Sequence, residues 1–143
     1  MAQPTVKIYT DGSYKSGEGG WAATLYYRNQ TVQLAGHASA TTNNRMELIA
    51  ILEALKSLKK RSNVTVYTDS QYAQQGMLVV ELWQRRGWKT KEGKEISNKD
   101  LWEQLLALKG KHNVRVNWIK GHAGHPDNEA MDALAKQIRE SYS

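Results

Sequence analysis

Apolar and polar residues alternate over Val6-Lys-Ile-Tyr-Thr-Asp11, a run rich in β-formers, and this predicts a first strand. The polar, glycine-rich stretch from Gly12 to Gly20 reads as a turn. Residues 21–28 and 31–37 flank Asn29-Gln30 and predict an antiparallel hairpin. At Asn43 the period becomes helical and continues to about Lys60. Leu48, Ile51, Leu52, Leu55 and Leu58 form one apolar stripe, while Met46, Ile49 and Ala50 cover the other side early, so this helix belongs between two layers. Residues 64–69 predict another strand, 71–86 a helix, 87–97 a basic loop, 99–109 a helix and 114–119 a last strand. After the loop at 121–125, Pro126 suits the first position of a final helix carrying Met131, Leu134, Ala135 and Ile138 on one face. The order β-β-β-α-β-α-α-β-α predicts an α/β fold: a five-stranded mixed sheet flanked by helices, with three antiparallel strands followed by parallel ones.

Composition narrows this picture. The 143 residues correspond to one domain, 1–143, large enough to build a core unaided. The absence of Cys excludes disulfides, thiolate metal sites and a cysteine nucleophile. No apolar run is long enough for a membrane span, and Met1-Ala-Gln-Pro4 lacks the profile of a leader, so an intracellular, cytoplasmic monomer is expected. The net charge of +6 is unevenly placed. Arg85, Arg86, Lys89, Lys91, Lys94 and Lys99 cluster beside Trp83 and Trp88, a mixture of cations and aromatics suited to a polyanion as well as to plain solvated surface.

Chemistry enters through the acids. Tyr9-Thr-Asp11 and Tyr67-Thr-Asp69 each close a predicted strand and are each followed by a small residue. A crossover helix between those strands makes them parallel, which brings both carboxylates to one sheet edge if the strands are neighbours. The alternative is that both merely start turns. Taking Leu48 as zero and 100° per residue, Glu47 falls at about 260°, on the border of the buried stripe. Asp132 flanks the stripe of the last helix in the same way, though ordinary helix charge explains either residue taken singly. Four converging carboxylates repel unless a cation compensates, and an all-oxygen set suits Mg²⁺ or Mn²⁺. In the loop Gly121-His122-Ala-Gly-His125, His122 is read first as a proton carrier, next as an ordinary loop residue and last as a zinc ligand.

The ordered set Tyr9-Thr-Asp-Gly-Ser13, Thr41-Thr-Asn-Asn-Arg-Met-Glu-Leu48, Tyr67-Thr-Asp-Ser-Gln71, Gly87-Trp-Lys-Thr90, Asn98 and Lys120-Gly-His-Ala-Gly-His-Pro-Asp-Asn-Glu129 with Asp132 resembles ribonuclease H, type 1, nearly end to end. The resemblance implies endonucleolytic hydrolysis of RNA in an RNA–DNA hybrid, leaving 5′-phosphate and 3′-hydroxyl ends, with Mg²⁺ or Mn²⁺ and two ions when substrate is bound. It implies that Asp11, Glu47, Asp69 and Asp132 hold metal, that His122 is a mobile histidine and that Glu129 is an auxiliary acid. Asn43, Asn44 and Gln71 match positions that touch the RNA strand, although Asn43 or Asn44 equally suits a helix cap. Thr42 and Asn98 match a pocket for a DNA-strand phosphate. Trp83 and the basic residues Arg85, Arg86 and Lys89 match a protrusion that follows the DNA strand. Two departures stand out. Ala40 occupies a place where many relatives carry arginine, and Val79-Val80 stand where a second tryptophan occurs, so an altered substrate grip is expected. The competing expectations are a hybrid-binding module without catalysis and a related nuclease acting on DNA.

Overall fold

The computed structural model describes residues 3–121 and 124–142. Five strands, β1 (Thr5–Lys15), β2 (Glu18–Tyr27), β3 (Gln30–Ala38), β4 (Asn63–Thr68) and β5 (Asn113–Trp118), form one mixed sheet in the order β3-β2-β1-β4-β5. β1 pairs antiparallel with β2, as β2 does with β3, whereas β4 runs parallel to both β1 and β5. The helices are α1 (Asn43–Lys56), α2 (Gln71–Arg85), α3 (Lys99–Lys111) and α4 (Pro126–Ser141).

The glycine-rich segment is not a long turn. β1 continues through Lys15 and β2 begins at Glu18, leaving Ser16-Gly17 as a two-residue hairpin turn with both residues at positive φ, 53° and 87°. The flanking glycines are there because helices lie directly on them: a Cβ at Gly12 would stand 2.8 Å from the Met46 Cβ of α1, and one at Gly20 would strike the Ala135 carbonyl of α4. The next hairpin turns one residue earlier than the pattern suggested, at Arg28-Asn29, since Tyr27 pairs with Gln30. α1 also stops short of residue 60. The Ser57 hydroxyl donates back to the Ala54 carbonyl at 2.7 Å, and Leu58 packs onto the core from beyond the helix end.

Successive β1 residues point to opposite layers. Val6 and Ile8 enter the main core with Leu48, Ile51, Leu55 and Val66, and the fully buried Trp102 of α3 belongs to the same cluster. α1 therefore lies between the sheet and α3, as its two-sided apolar pattern requires. On the other face, α4 covers β1 and β2 through Met131 and Ala135 against Ala22, and Arg139 Nε donates to Ser13 Oγ at 2.9 Å. Among the described residues, no helix is long and apolar enough to cross a membrane.

Candidate active site

Tyr9 and Tyr67 are register partners in the parallel β1–β4 pair, and their rings stack at 4.7 Å. Asp11 and Asp69 each follow two residues later, so both come to the carboxyl end of that parallel pairing, Asp11 within β1, which runs on to Lys15, and Asp69 just past β4. α1 begins across this edge, where Thr42 is the N-cap, accepting the Arg45 N–H at 3.2 Å. Its second turn carries Glu47 to the same point, and one carboxylate oxygen from each of Asp11, Glu47 and Asp69 lies within 4.8 Å of the others. Asp132, from the middle of α4, faces the same cleft of about 420 Å³, which Asn43, Asn44, Gln71 and Tyr72 also line.

Burial makes this cluster electrostatically unfavourable as it stands. Asp11 is 3% exposed and Glu47 5%. Loss of hydration, then the neighbouring Asp69 charge, pushes the Asp11 carboxyl up to about 8. Glu47 is likewise held well above the ordinary carboxylate range, by burial first and by the charges of Asp11 and Asp69 next. Oδ2 of Asp11 and Oε1 of Glu47 are buried without a hydrogen-bond partner among the described residues. Two orphaned oxygens, a third carboxylate beside them and no sulfur donor fit a hard divalent cation. Gly12 lets this happen, because a Cβ there would sit 2.9 Å from both the Glu47 backbone nitrogen and its Oε1. Gly12→Ala is expected to shift the first turn of α1 and to cost about 1–3 kcal/mol of stability in denaturant titration.

The other residues singled out from sequence fall in three places. Asn43, Asn44 and Gln71 line the acidic cleft, and since Thr42 does the capping, the two asparagine side chains are left free of that role. Asn98 is the N-cap of α3, in the left-handed region at φ 61°, but its side chain makes no cap hydrogen bond; its amide bonds Arg45 and Tyr72 instead. Trp83 is half-buried and meets Trp102 edge-to-face at 5.2 Å, which anchors the root of the basic segment. That segment is pinned through its backbone: Lys89 and Glu95 pair as an isolated antiparallel β-bridge, and Ile96 N–H donates to the Trp88 carbonyl at 2.9 Å. Arg85, Arg86 and Lys89 on it are exposed and enter no ion pair among the described residues. Glu129 is exposed on the first turn of α4, and His122 lies outside the described residues. Sequence reasoning passed over Arg45 and Tyr72, whose partners come from other helices; a lone arginine in Asn-Asn-Arg-Met carried no periodic signal.

Comparison with known proteins completes the picture. The RNase H family model matches residues 3–140. Ribonuclease HI of Neisseria meningitidis serogroup B is 47% identical over 142 residues, spanning 97% of this chain and 98% of that protein. A ribonuclease H of Paramagnetospirillum magneticum is 48% identical over 136 residues, 93% of this chain and 88% of that one. Among solved structures, a type 1 ribonuclease H with the type 2 active-site motif matches with a TM-score of 0.85 at 32% identity, covering 100% of this chain and 75% of that chain. The sheet, the acidic cleft and these likenesses define an endoribonuclease of a divalent-metal-dependent class. The chain belongs to the ribonuclease H family.

Proposed function

We propose that this chain, acting as one catalytic domain, hydrolyses the RNA strand of RNA–DNA hybrids with Mg²⁺, or Mn²⁺, leaving 5′-phosphate and 3′-hydroxyl ends. The observation that carries the reading is the meeting of Asp11, Glu47 and Asp69 within 4.8 Å, with two of their oxygens buried and unpartnered. Asp11, Glu47, Asp69 and Asp132 hold the metal, two ions when substrate is present. Bound there, divalent cations offset charge on the scissile phosphate and make an attacking water acidic enough to react near neutral pH.

The chain's own groups do the rest. Asn43, Asn44 and Gln71 meet the shallow minor groove, where an amide both donates to and accepts from a 2′-hydroxyl; this is how RNA is told from DNA. Thr42 and Asn98 hold a phosphate of the DNA strand, and Trp83 with Arg85, Arg86 and Lys89 follows that strand outward. His122 carries a proton near the cleft, with Glu129 as an auxiliary acid. We further propose a cytoplasmic monomer, in keeping with a cysteine-free chain whose exposed large apolar residues are spread over several elements.

The deciding experiment incubates labelled RNA–DNA hybrid, duplex RNA, duplex DNA and single-stranded RNA with the protein and Mg²⁺. Cleavage of hybrid alone, with 5′-phosphate on the downstream product, is expected; intact hybrid at enzyme excess ends the proposal. Neutralising Arg85, Arg86 and Lys89 together is expected to weaken hybrid binding and flatten its dependence on salt by up to about three counterions. An unchanged slope of log affinity against log salt concentration would make the protrusion ordinary solvated surface.

A further inference from the structure

α4 lies on the second face of the sheet and docks on β1, β2 and β3, which leaves that face of β4 and β5, with the adjoining part of β1, open to solvent. Two rows of side chains cross the open area. In the first, Lys7 pairs in register with Thr65, and Thr65 with Arg115. One alternation further along the strands, Tyr9 pairs with Tyr67, and Tyr67 with Asn117. Asp11 and Asp69 come two residues after this second row, so the open face leads away from the acidic cleft.

The first row is cationic. Lys7 and Arg115 are exposed on either side of the half-buried Thr65, and neither enters an ion pair among the described residues. No Asp or Glu occurs in residues 5–9, 63–67 and 113–117, which build the area, so its charge is matched by a polyanion. The second row is aromatic. Tyr9 packs against the cluster of Ala22, Met131 and Ala135 under α4, and Tyr67 stacks on Tyr9 at 4.7 Å with the rings 14° from parallel. Adjacent strands stand about 4.8 Å apart, so this stack runs across them and the other face of Tyr67 turns toward β5. Its register partner there is Asn117, short and half-buried. An aromatic face takes an unpaired base, an amide takes the edge of that base, and cations take the phosphates linking it to its neighbours. A duplex cannot use the ring, because its bases already stack on one another.

We propose that this open face binds unpaired RNA continuing from the strand held in the acidic cleft. One base stacks on Tyr67 beside Asn117, and phosphates further out meet Lys7, Thr65 and Arg115. This binding rests on the hybrid-cleaving reading above and adds a part of the substrate, the single-stranded RNA that flanks the hybrid. RNA is the strand concerned because the face begins at the carboxylates that act on the RNA phosphate.

The test uses a hybrid just long enough to fill the cleft, either blunt or with an unpaired extension on one end of the RNA or of the DNA strand. An RNA extension at one of its two ends is expected to lower KM about tenfold, the worth of one stacked base, while DNA extensions leave it within about twofold of the blunt hybrid. An RNA extension of abasic nucleotides keeps the phosphates and loses most of the gain. The plot of log(1/KM) against log salt concentration is expected to be steeper for the extended hybrid by about 1.4, from two single-strand phosphates at about 0.7 each. Tyr67→Thr keeps a β-forming residue in the strand and is expected to cut the gain to about twofold by removing the stacking face. Lys7→Gln combined with Arg115→Gln is expected to remove the added salt dependence. Each variant is read as its own ratio of KM for blunt and extended hybrid, in which changes at the catalytic carboxylates or in the folded fraction cancel. Should Tyr67→Thr fail to fold, the exposed Lys7 and Arg115 pair and the abasic extension decide. Equal KM for blunt and extended hybrids at both RNA ends overturns the proposal. So does an equal gain from a DNA extension, a gain kept in full by abasic nucleotides, or a ratio that neither variant changes. A parent protein that does not cut blunt hybrid defeats instead the reading on which it rests.

Discussion

Asp11→Asn will be inactive and, in metal-free buffer, harder to unfold than the parent. Both effects come from the same atom. The Asp11 carboxylate is 3% exposed, and its Oδ2 has no hydrogen-bond partner among the described residues. Under the proposed function it is a ligand when a cation is bound; without one it is a buried carboxyl beside Asp69, pushed up to about 8 by that environment. Asparagine keeps the shape and the bond from the Gly12 N–H, 2.9 Å from Oδ1, while removing the charge. Turnover with saturating hybrid and Mg²⁺ is expected to fall by about 10³-fold or more, since the group acts on the reaction through the metal. Stability at pH 8 without divalent ions is expected to rise by about 2 kcal/mol, well below a full conversion of the shift at about 1.36 kcal/mol per unit, because Asp11 and Glu47 titrate together. Urea titration of the two proteins with chelator reads the second effect. A variant that is both active and less stable would show that Asp11 is a structural residue.

The pH dependence of stability follows with a definite sign. Asp11 and Glu47 bind protons more tightly folded than unfolded, since burial and neighbouring charge raise both. Wherever the folded state binds more protons, stability falls as pH rises. The contribution of Asp11 is therefore fully present below its ordinary value of 3.8 and is lost progressively up to about pH 8. In chelator, the unfolding midpoint is expected to drop by several degrees between pH 5 and pH 8, with a weaker drop in Asp11→Asn. Excess Mg²⁺ or Mn²⁺ should restore the midpoint at pH 8 and do little at pH 5, where protons already occupy the oxygens. Equal stabilisation by the ions at both pH values would place their binding somewhere other than these carboxylates.

How far the sequence reveals all this depends on how local each cause is. The repeated Tyr-Thr-Asp makes Asp11 and Asp69 legible, because one parallel pairing fixes both positions, although β1 does not close at Asp11 but runs on to Lys15. Helical phase put Glu47 and Asp132 at the borders of buried stripes but did not set either apart from ordinary helix charge; only the packing of α1 and α4 brings both to the cleft. The stretch from Gly12 to Gly20 misled because glycine signals a turn and a tight helix contact in the same way; contacts with Met46 and Ala135 decide between them, and those lie far along the chain. The end of α1 misled because Leu58 keeps the right phase, whereas the backbone had already been stopped by Ser57. The bonding of Asn98 was least visible, since its partners Arg45 and Tyr72 start different helices and meet only after the layers assemble.

The last helix has a further significance. Asp132 lies on α4, and α4 docks across β1 and β2, strands that stand far earlier in the sequence. The elements before α4 can pair the sheet and bring three acids together, yet the fourth wall of the cleft is missing until α4 docks. Under the proposed chemistry, cutting therefore waits on the docking of α4, and a chain folded only as far as β5 is inactive.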